Sequence, residues 1–421
     1  MEKYNEYKDS GVQWLGEIPS HWKLLRNKSF MNLTDEKVEQ RKNFILLSLT
    51  KQGVIIRDLS EGKGKFPKNF NTYLVVRPNN LVFCLFDVDE TPRTVGLVRN
   101  VGMLTGAYTN FKLKENVVLP EYAYYYYLQV DDVKGLKPYY TGLRKVVKTN
   151  TFLQLRMPVP PIKEQHTIVS YLDTKCSKLD TFISNKEKEI TLLQEMKQRV
   201  IADAVTRGLN PNVKFKPTNI SWLPEIPEHW QIKPIRSLLR EVTEKSETGD
   251  EELLSLSQYT GISYKKDAKN TGMFEAESTI GYKKVYPGQF VMNIMLAWNG
   301  SYAVSDLEGI ISPAYCVFDF VSDCDKLYYH YLLRLGIYSG AFKTASRGII
   351  DSRLRLYPNR FYPFPIICPP IEEQHAIVSY ITERVAKIDS LVEKLNKEIE
   401  CIKEYKQRLI SDVVTGQIKV S

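Results

Sequence analysis

The chain carries the same blocks of sequence twice, about 208 residues apart. Residues 12–22 (VQWLGEIPSHW) return as residues 220–230 (ISWLPEIPEHW), with 7 of 11 positions identical. Residues 160–173 return as residues 369–382 with 10 of 14 identical, and residues 197–206 return as residues 406–415 with 7 of 10. A period this long indicates a duplicated domain pair and not a solenoid. Duplication favours recognition of a partner with two similar halves over chemistry at one small site.

Composition places the chain among globular proteins of two to four domains, since it has 421 residues, 43% hydrophobic and 25% charged. No run approaches the roughly 18 apolar residues of a membrane span, and the polar N-terminus lacks a signal-peptide core. We therefore expect a cytoplasmic protein without a membrane partner. Lys and Arg number 58 against 49 Asp and Glu, a net charge of +9. That modest excess permits a nucleic-acid partner but does not require one.

Common enzyme signatures are missing. There is no P-loop, no H-E-x-x-H, no G-x-S-x-G and no Asn/Asp-Pro-Pro-aromatic tetrapeptide. The glycine- and lysine-rich residues 62–65 are interpreted as a flexible basic turn. The six cysteines are scattered without C-x-x-C spacing, so we expect reduced thiols, no disulfide and no metal site. We predict no catalytic, cofactor-binding or metal-binding residue in this chain.

The order of segments is short block, mixed stretch and helix, and then the same again. We predict a framework block at 1–22, a first mixed domain at 23–158 and a central helix at 159–209. The second half repeats these as a framework block at 210–230, a mixed domain at 231–367 and a C-terminal helix at 368–421. Each mixed stretch combines short β-type runs, Gly/Asn/Pro turns and a helical patch, which predicts an α+β domain.

Heptad spacing predicts that the two helical segments pack along a narrow apolar seam. Each begins at Pro-Pro followed by glutamate, which suits the first helical turn, and each is followed by a candidate C-cap glycine, Gly208 or Gly416. About 45 residues would make a rod of roughly 65 Å. The residues leave the relative direction of the helices open. Lys186 interrupts the first row. The predicted seam residues are Leu172, Leu179, Ile183, Ile190, Leu193, Val200, Ile381, Ile388, Val392, Leu395, Ile399, Ile402 and Leu409.

Basic residues with aromatic neighbours cluster near the end of each mixed stretch. Arginine can bond the major-groove edge of guanine, and both lysine and arginine can hold phosphates. A solvated basic face is the plainer alternative for each cluster. The candidate DNA-binding residues are Arg93, Arg99, Arg144, Lys145, Lys148, Arg347, Arg353, Arg355 and Arg360.

Four of the five histidines are repeat mates: His21 with His229, and His166 with His375. A catalytic histidine present in both halves is conceivable. Because each lies in a shared block, we favour packing and capping roles for all four.

The arrangement resembles the specificity subunit of Type I restriction–modification enzymes. The resemblance rests on a W-L-x-E-I-P-x-H-W block before each mixed domain and a P-P-I-x-E-Q helix start after it, and it covers essentially the whole chain. Before the second Pro-Pro, Ile367-Cys368 replaces the Pro-Leu pair more usual in that family.

The resemblance implies two target recognition domains joined by two long antiparallel coiled-coil helices, with a pseudo-twofold internal duplication. Each domain would read one half of a split, asymmetric site in double-stranded DNA, and the helices would set the spacer. The subunit would be non-catalytic. It would recruit two methyltransferase subunits that use S-adenosylmethionine to methylate adenine N6. Two restriction subunits, ATP- and Mg²⁺-dependent translocase–nucleases, would complete the enzyme.

Three other interpretations remain open. The first is a specificity subunit of a methylation-only system, or of one in which methyltransferase and nuclease share a chain. The second is a DNA methyltransferase or nuclease in its own right. The third is a coiled-coil adaptor that does not bind DNA.

Overall fold

The computed structural model describes residues 2–12, 14–39, 44–57, 70, 72–87, 90–91, 93–267, 278–348, 350 and 353–420. The chain forms two compact units. The first is made of Met1–Glu187 together with Leu395–Ser421, and the second is Lys188–Lys394. Each unit mixes short strands with helices around its own core, which confirms the α+β class and the internal duplication.

The described residues of the first unit form two four-stranded sheets and two strand pairs. Its strands are β1 (Tyr7–Asp9), β2 (Glu17–Pro19), β3 (Lys23–Arg26), β4 (Met31–Thr34), β5 (Ile45–Thr50), β6 (Gly53–Ile56), β7 (Leu74–Val76), β8 (Leu81–Phe83), β9 (Val95–Leu97), β10 (Gly102–Leu104), β11 (Thr109–Leu113) and β12 (Arg156–Val159). The sheet orders are β6-β5-β10-β7 and β4-β11-β8-β9, and the pairs are β1-β2 and β3-β12. Its helices are α1 (Pro120–Asp132), α2 (Thr149–Gln154) and the beginning of α3 (Ile162–Arg207).

The second unit repeats much of this pattern. Its strands are β13 (Phe215–Ile220), β14 (Leu223–Pro227), β15 (Gln231–Pro234), β16 (Leu239–Val242), β17 (Leu254–Ser257), β18 (Gly261–Tyr264), β19 (Lys283–Val285), β20 (Phe290–Asn293), β21 (Tyr302–Val304), β22 (Gly309–Ile311), β23 (Tyr315–Phe320) and β24 (Pro365–Cys368). The sheet β16-β23-β20-β21 corresponds to β4-β11-β8-β9, and the pair β15-β24 corresponds to β3-β12. Its helices are α4 (Lys326–Leu333), α5 (Gly336–Ala345), α6 (Pro358–Phe361) and the beginning of α7 (Ile371–Val414).

Three buried phenylalanines lie against one another in each core. Ring centroids are 4.7–5.9 Å apart in the first unit and 5.6–6.1 Å apart in the second. Contacts of this kind add to the free energy gained from burying the rings. The two trios are Phe83, Phe111 and Phe152, and Phe290, Phe318 and Phe361.

The helices α3 and α7 run antiparallel within each unit. In the first unit Lys406 Nζ lies 2.6 Å from Asp180 Oδ1, and Lys186 Nζ lies 3.2 Å from Glu398 Oε2. Residue numbers therefore rise along one helix as they fall along the other. The direction that the residues alone left open is antiparallel, as the resemblance implied.

The second unit has the same helix pairing. Lys197 Nζ lies 2.7 Å from Asp389 Oδ1 there, and Ile201 joins the same core cluster as Ile377 and Ile381. Lys197 and Asp389 stand 209 residues from Lys406 and Asp180, so this cross-helix ion pair is itself duplicated.

Every predicted seam residue is buried or half-buried. Lys186, which interrupts the first row, is half-buried and reaches Glu398 on the other helix. Gly208 and Gly416 follow the two helices with left-handed backbones (φ +75° and +77°), as predicted for C-cap glycines.

None of the helices in the described part of the chain is long and apolar enough to cross a membrane.

Candidate nucleic-acid interface

Each mixed domain is fixed to the start of a long helix by one glutamate. Glu164, in the first turn of α3, accepts a hydrogen bond from Trp22 Nε1 at 3.0 Å and lies 2.9 Å from His21 Nε2. Tyr4 also donates its hydroxyl to Glu164, and burial together with this bond raises the pKa of Tyr4. This glutamate therefore joins the first framework block to the helix.

The second unit contains the same junction. Glu373, in the first turn of α7, accepts from Trp230 Nε1 at 2.9 Å and lies 2.8 Å from His229 Nε2. His21 and His229 thus brace a helix start, in keeping with the packing and capping roles that we favoured. The other repeat pair, His166 and His375, is exposed.

The next residue of each helix connects it to the body of the domain. Gln165 is buried, and its amide accepts from Leu119 N at 2.8 Å and donates to Pro160 O at 2.9 Å. Gln374 accepts from Asp325 N at 2.9 Å and donates to Pro369 O at 2.8 Å. The E-Q dipeptide is therefore a structural joint.

The far end of the opposite helix closes each junction. In the first unit Tyr122 donates its hydroxyl to Val414 O at 3.3 Å, and in the second Tyr328 donates to Val205 O at 2.8 Å. Each mixed domain is thus held by the first turn of one long helix and the last turn of the other.

The first basic cluster lies on a short closed loop, residues 141–146, which we call the first-unit loop. Thr141 and Val146 exchange backbone hydrogen bonds of 2.9 and 3.0 Å, and Lys145 N donates to Gly142 O at 3.1 Å. Gly142 (φ +71°) and Lys145 (φ +47°) adopt left-handed backbones, which glycine tolerates and lysine rarely takes. The loop is therefore fixed by its own hydrogen bonds.

The first-unit loop is anchored to the segment that follows β8. Val147 N donates to Leu85 O at 2.8 Å, and Asp87 N donates to Arg144 O at 3.0 Å. The guanidinium of Arg144 lies 3.2 Å from Asp87 Oδ2 and 5.4 Å from the centre of the Phe86 ring, yet 72% of its side chain is exposed. It can therefore reach a phosphate or a base edge.

The other cations of this cluster also face solvent. Lys145 is 42% exposed and lies 3.9 Å from Glu90 Oε1. Lys148 is exposed at the start of α2. The structure thus brings Arg144, Lys145 and Lys148 together on one stretch of surface chain.

The second basic cluster frames an equivalent loop, residues 347–355, which we call the second-unit loop. Arg347 and Arg355 exchange backbone hydrogen bonds of 3.0 and 2.9 Å. Beyond the bridge, Leu356 N donates to Ile294 O at 3.0 Å. Leu356 and Ile294 stand 209 residues from Val147 and Leu85, so the anchor of the loop is duplicated.

The arginines of the second cluster differ in exposure. Arg347, Arg353 and Arg360 are exposed, and Arg360 lies on α6. Arg355 is half-buried, and its guanidinium donates to Leu354 O at 2.8 Å.

Arg93 and Arg99 are not part of these loops. Arg93 is 23% exposed and lies 3.8 Å from both Asp131 and Asp132. Arg99 is 57% exposed and lies 3.1 Å from Glu121. The position of Arg93 favours a structural role, and its contact with DNA stays a prediction, as for the other candidates. The basic turn at residues 62–65 lies outside the described residues.

Arg334 has a structural role that its sequence position did not indicate. It donates to Gln258 O at 2.6 Å and to Tyr302 O at 2.8 Å, and burial lowers its pKa. It holds the turn between β17 and β18, where Tyr259 is 83% exposed. The sequence carries no signal for this role beyond an arginine next to a run of tyrosines and leucines.

Three residues whose pKa values are shifted by full or partial burial lie in these units. His330 accepts from Val304 N at 3.2 Å, and burial lowers its pKa to about 4. Burial raises the pKa of Cys176 and Cys324 to about 11, so both thiols stay protonated near neutral pH. Cys401 is exposed on α7.

Comparison with known proteins agrees with this architecture. Residues 97–192 match the family described as the Type I restriction modification DNA specificity domain. The MjaVIII specificity subunit, from a Type I restriction enzyme of Methanocaldococcus jannaschii, is 24% identical over 450 aligned residues, covering 100% of this chain and 98% of that protein. The EcoBI specificity subunit of Escherichia coli is 22% identical over 307 residues, covering 65% of this chain and 60% of that protein.

A solved structure shares the fold. It comes from work on complex assembly and conformational transition of the type I R-M system. Its chain aligns with a TM-score of 0.63 and 14% identity, over 95% of this chain and 99% of that one. The duplicated junctions, the matched specificity domain and the full-length relative lead to one conclusion: over its whole length the chain is similar to the specificity subunits of Type I restriction enzymes.

Proposed function

We propose that this chain reads a bipartite, asymmetric target in double-stranded DNA, with one half-site for each unit. The observation that carries the proposal is the pair of basic loops. Their anchors are duplicated at an offset of 209 residues, but four residues separate the bridge partners in the first unit and seven in the second. The anchors of the two loops are the same, but the loops that they hold differ in length. The two units therefore suit two different half-sites.

The exposed cations account for the affinity of such an interface. Arg144, Lys148, Arg347 and Arg353 have long side chains that can release counterions from phosphates. Affinity of this origin falls steeply with salt, whereas base contacts set the sequence preference. Two linked modules also make the second binding event intramolecular, so two weak half-site contacts give tight binding.

Catalysis belongs to partner subunits in this proposal. Two methyltransferase subunits would bind S-adenosylmethionine and flip an adenine out of the duplex to methylate N6. Two restriction subunits would use ATP and Mg²⁺ for translocation and cleavage, and the complex would work in the cytoplasm. The chain itself supplies recognition and assembly.

Methylome sequencing of cells that carry this gene with its methyltransferase tests the proposal. We expect methylated adenines in two short motifs that flank a gap of fixed length. Methylation without a bipartite motif would contradict it. Methyl transfer by the purified chain alone would show instead that the chain is itself an enzyme.

The long helices are proposed to set the gap. Seven residues inserted after Glu187 and seven after Lys394 lengthen both helices by about 10 Å, the rise of about three base pairs. We expect the gap in the methylated motif to grow while the two half-site sequences stay the same. An unchanged gap in a folded variant would contradict the proposal.

A further inference from the structure

Leu143 projects from the tip of the first-unit loop. The residue is 103% exposed, the highest value for a large hydrophobic residue in the part of the chain that the structure describes. Isolated exposed leucines are common on protein surfaces and need no special role. Leu143 differs because the loop places it clear of the protein on every side.

Hydrogen bonds and sharp backbone turns fix the loop on both sides of Leu143. The bridge between Thr141 and Val146 closes its base, and the Thr141 hydroxyl adds a bond of 2.9 Å to Val146 O. Left-handed backbones at Gly142 and Lys145 turn the chain sharply on either side of the tip. A tip fixed in this way loses little conformational entropy on binding, so it is suited to insertion into a ligand.

The surroundings of Leu143 identify the kind of ligand. Arg144 follows it directly, with 72% of its side chain exposed, and Lys145 and exposed Lys148 come next along the chain. An apolar protein partner would have to desolvate these cations, whereas duplex DNA offers phosphates to them and apolar base faces to leucine. Proteins that kink DNA insert leucine and similar side chains between base pairs in this setting.

We propose that Leu143 is a wedge that enters one base step of the half-site read by the first unit. The cations after it would hold the flanking phosphates, and the leucine side chain would separate a pair of stacked base pairs. Sequence preference would then arise from how easily that step unstacks, in addition to contacts with base edges. The inference rests on the proposed function and adds a recognition residue to it.

The second-unit loop also carries an exposed apolar residue. Ile350 is 54% exposed within the second-unit loop, and Arg347 and Arg353 flank it. Both loops therefore carry an exposed apolar residue close to exposed cations. The proposal is confined to Leu143, whose loop is described in full.

The experiment uses the full chain assembled with its methyltransferase partner, without S-adenosylmethionine. Wild-type complex first selects duplexes from a random library. Adenines in the selected half-sites are then replaced one at a time by 2-aminopurine, whose fluorescence rises when it unstacks. Leu143→Ala is compared with Leu33→Ala, a leucine on β4 that is 54% exposed.

We expect wild-type complex to unstack one step in the first half-site, apart from any adenine flipped by the methyltransferase. Leu143→Ala should abolish that signal, keep the flipping signal, and weaken binding about tenfold with the salt dependence unchanged. Leu33→Ala should behave as wild type.

Three results would overturn the wedge. In the first, the two variants bind and fluoresce alike. In the second, Leu143→Ala weakens binding although the wild type unstacks no step, which indicates a thymine-methyl contact. In the third, Leu143→Ala fails to assemble with the methyltransferase, which indicates a protein contact. Selection of no duplex by the wild-type complex would instead refute the proposed function.

Discussion

Trp230 donates its indole N–H to Glu373 over 2.9 Å, and this bond joins the second framework block to the first turn of α7. The indole is fully buried, and Glu373 is the acceptor of its N–H. The equivalent bond from Trp22 to Glu164 measures 3.0 Å. The conspicuous tryptophan and glutamate of the repeated blocks are thus two halves of one joint.

Glu373→Ala should lower the free energy of unfolding by about 1–3 kcal/mol, because it leaves a buried N–H without an acceptor. Urea denaturation followed by tryptophan fluorescence measures the change. Glu372→Ala removes an exposed carboxylate from the same helical turn and should cost little. Equal effects of the two substitutions would show that the joint contributes nothing specific.

The cross-helix pair of Lys197 and Asp389 should respond to charge reversal. Asp389→Lys places two cations together and should destabilise the second unit by about 1 kcal/mol at low salt. The swapped double variant, Lys197→Asp with Asp389→Lys, should recover most of that loss. A double-mutant cycle measures the coupling, and high salt should weaken it. If the swapped double variant did not recover stability, the ion pair between these two positions would not contribute to it.

Stability should fall in acid through His330. Its pKa is lowered to about 4 in the fold, against about 6.5 when unfolded, so the unfolded state binds more protons between those values. The contribution is therefore full above pH 6.5 and is lost as the pH falls toward 4, by up to about 3 kcal/mol. His330→Asn retains an acceptor for Val304 N and should flatten this part of the profile.

The control for His330 is His166→Asn, at an exposed position on α3. Unfolding in urea at several pH values between 4 and 7 compares the two variants with the wild type. A wild-type profile that His330→Asn leaves unchanged would assign the acid sensitivity to other groups.

Arg93 and Lys148 should separate stability from DNA binding. Arg93→Ala removes a cation beside buried Asp131 and should lower the unfolding free energy by about 2 kcal/mol. Lys148→Ala should leave stability unchanged and reduce the slope of log affinity against log salt by about 1. Denaturation and fluorescence anisotropy at several salt concentrations measure the two effects. If Arg93→Ala changed the salt slope and Lys148→Ala lowered the unfolding free energy, Arg93 would be the DNA contact and Lys148 the structural residue.

The fold was largely predictable because it follows from local repetition. Heptad spacing is visible over a long stretch, so it indicates long helices whatever they pack against. The relative direction of the two helices was not predictable, because apolar rows fit a parallel or an antiparallel partner equally well. It depends on distant pairs such as Lys406 with Asp180.

The candidate site was predictable as basic segments but not residue by residue. Nothing in the sequence distinguishes Arg93 from Arg144. In the structure Arg93 lies beside Asp131 and is largely buried, whereas Arg144 faces solvent. Leu143 was overlooked because an apolar residue is normally assigned to a core. Only the closed loop around it reveals its exposure.

The discontinuity of the first unit affects the order in which the chain can fold during synthesis. The second unit is one uninterrupted stretch, whereas the first needs residues 395–420, among them buried Val413 and Val420. These leave the ribosome after the whole second unit has been made. Until they emerge, the N-terminal half cannot complete its fold, because Trp22 and its neighbours lack their final packing partners. Nascent chains stalled before that stretch emerges should present the first half to chaperones and proteases while the second is already protected.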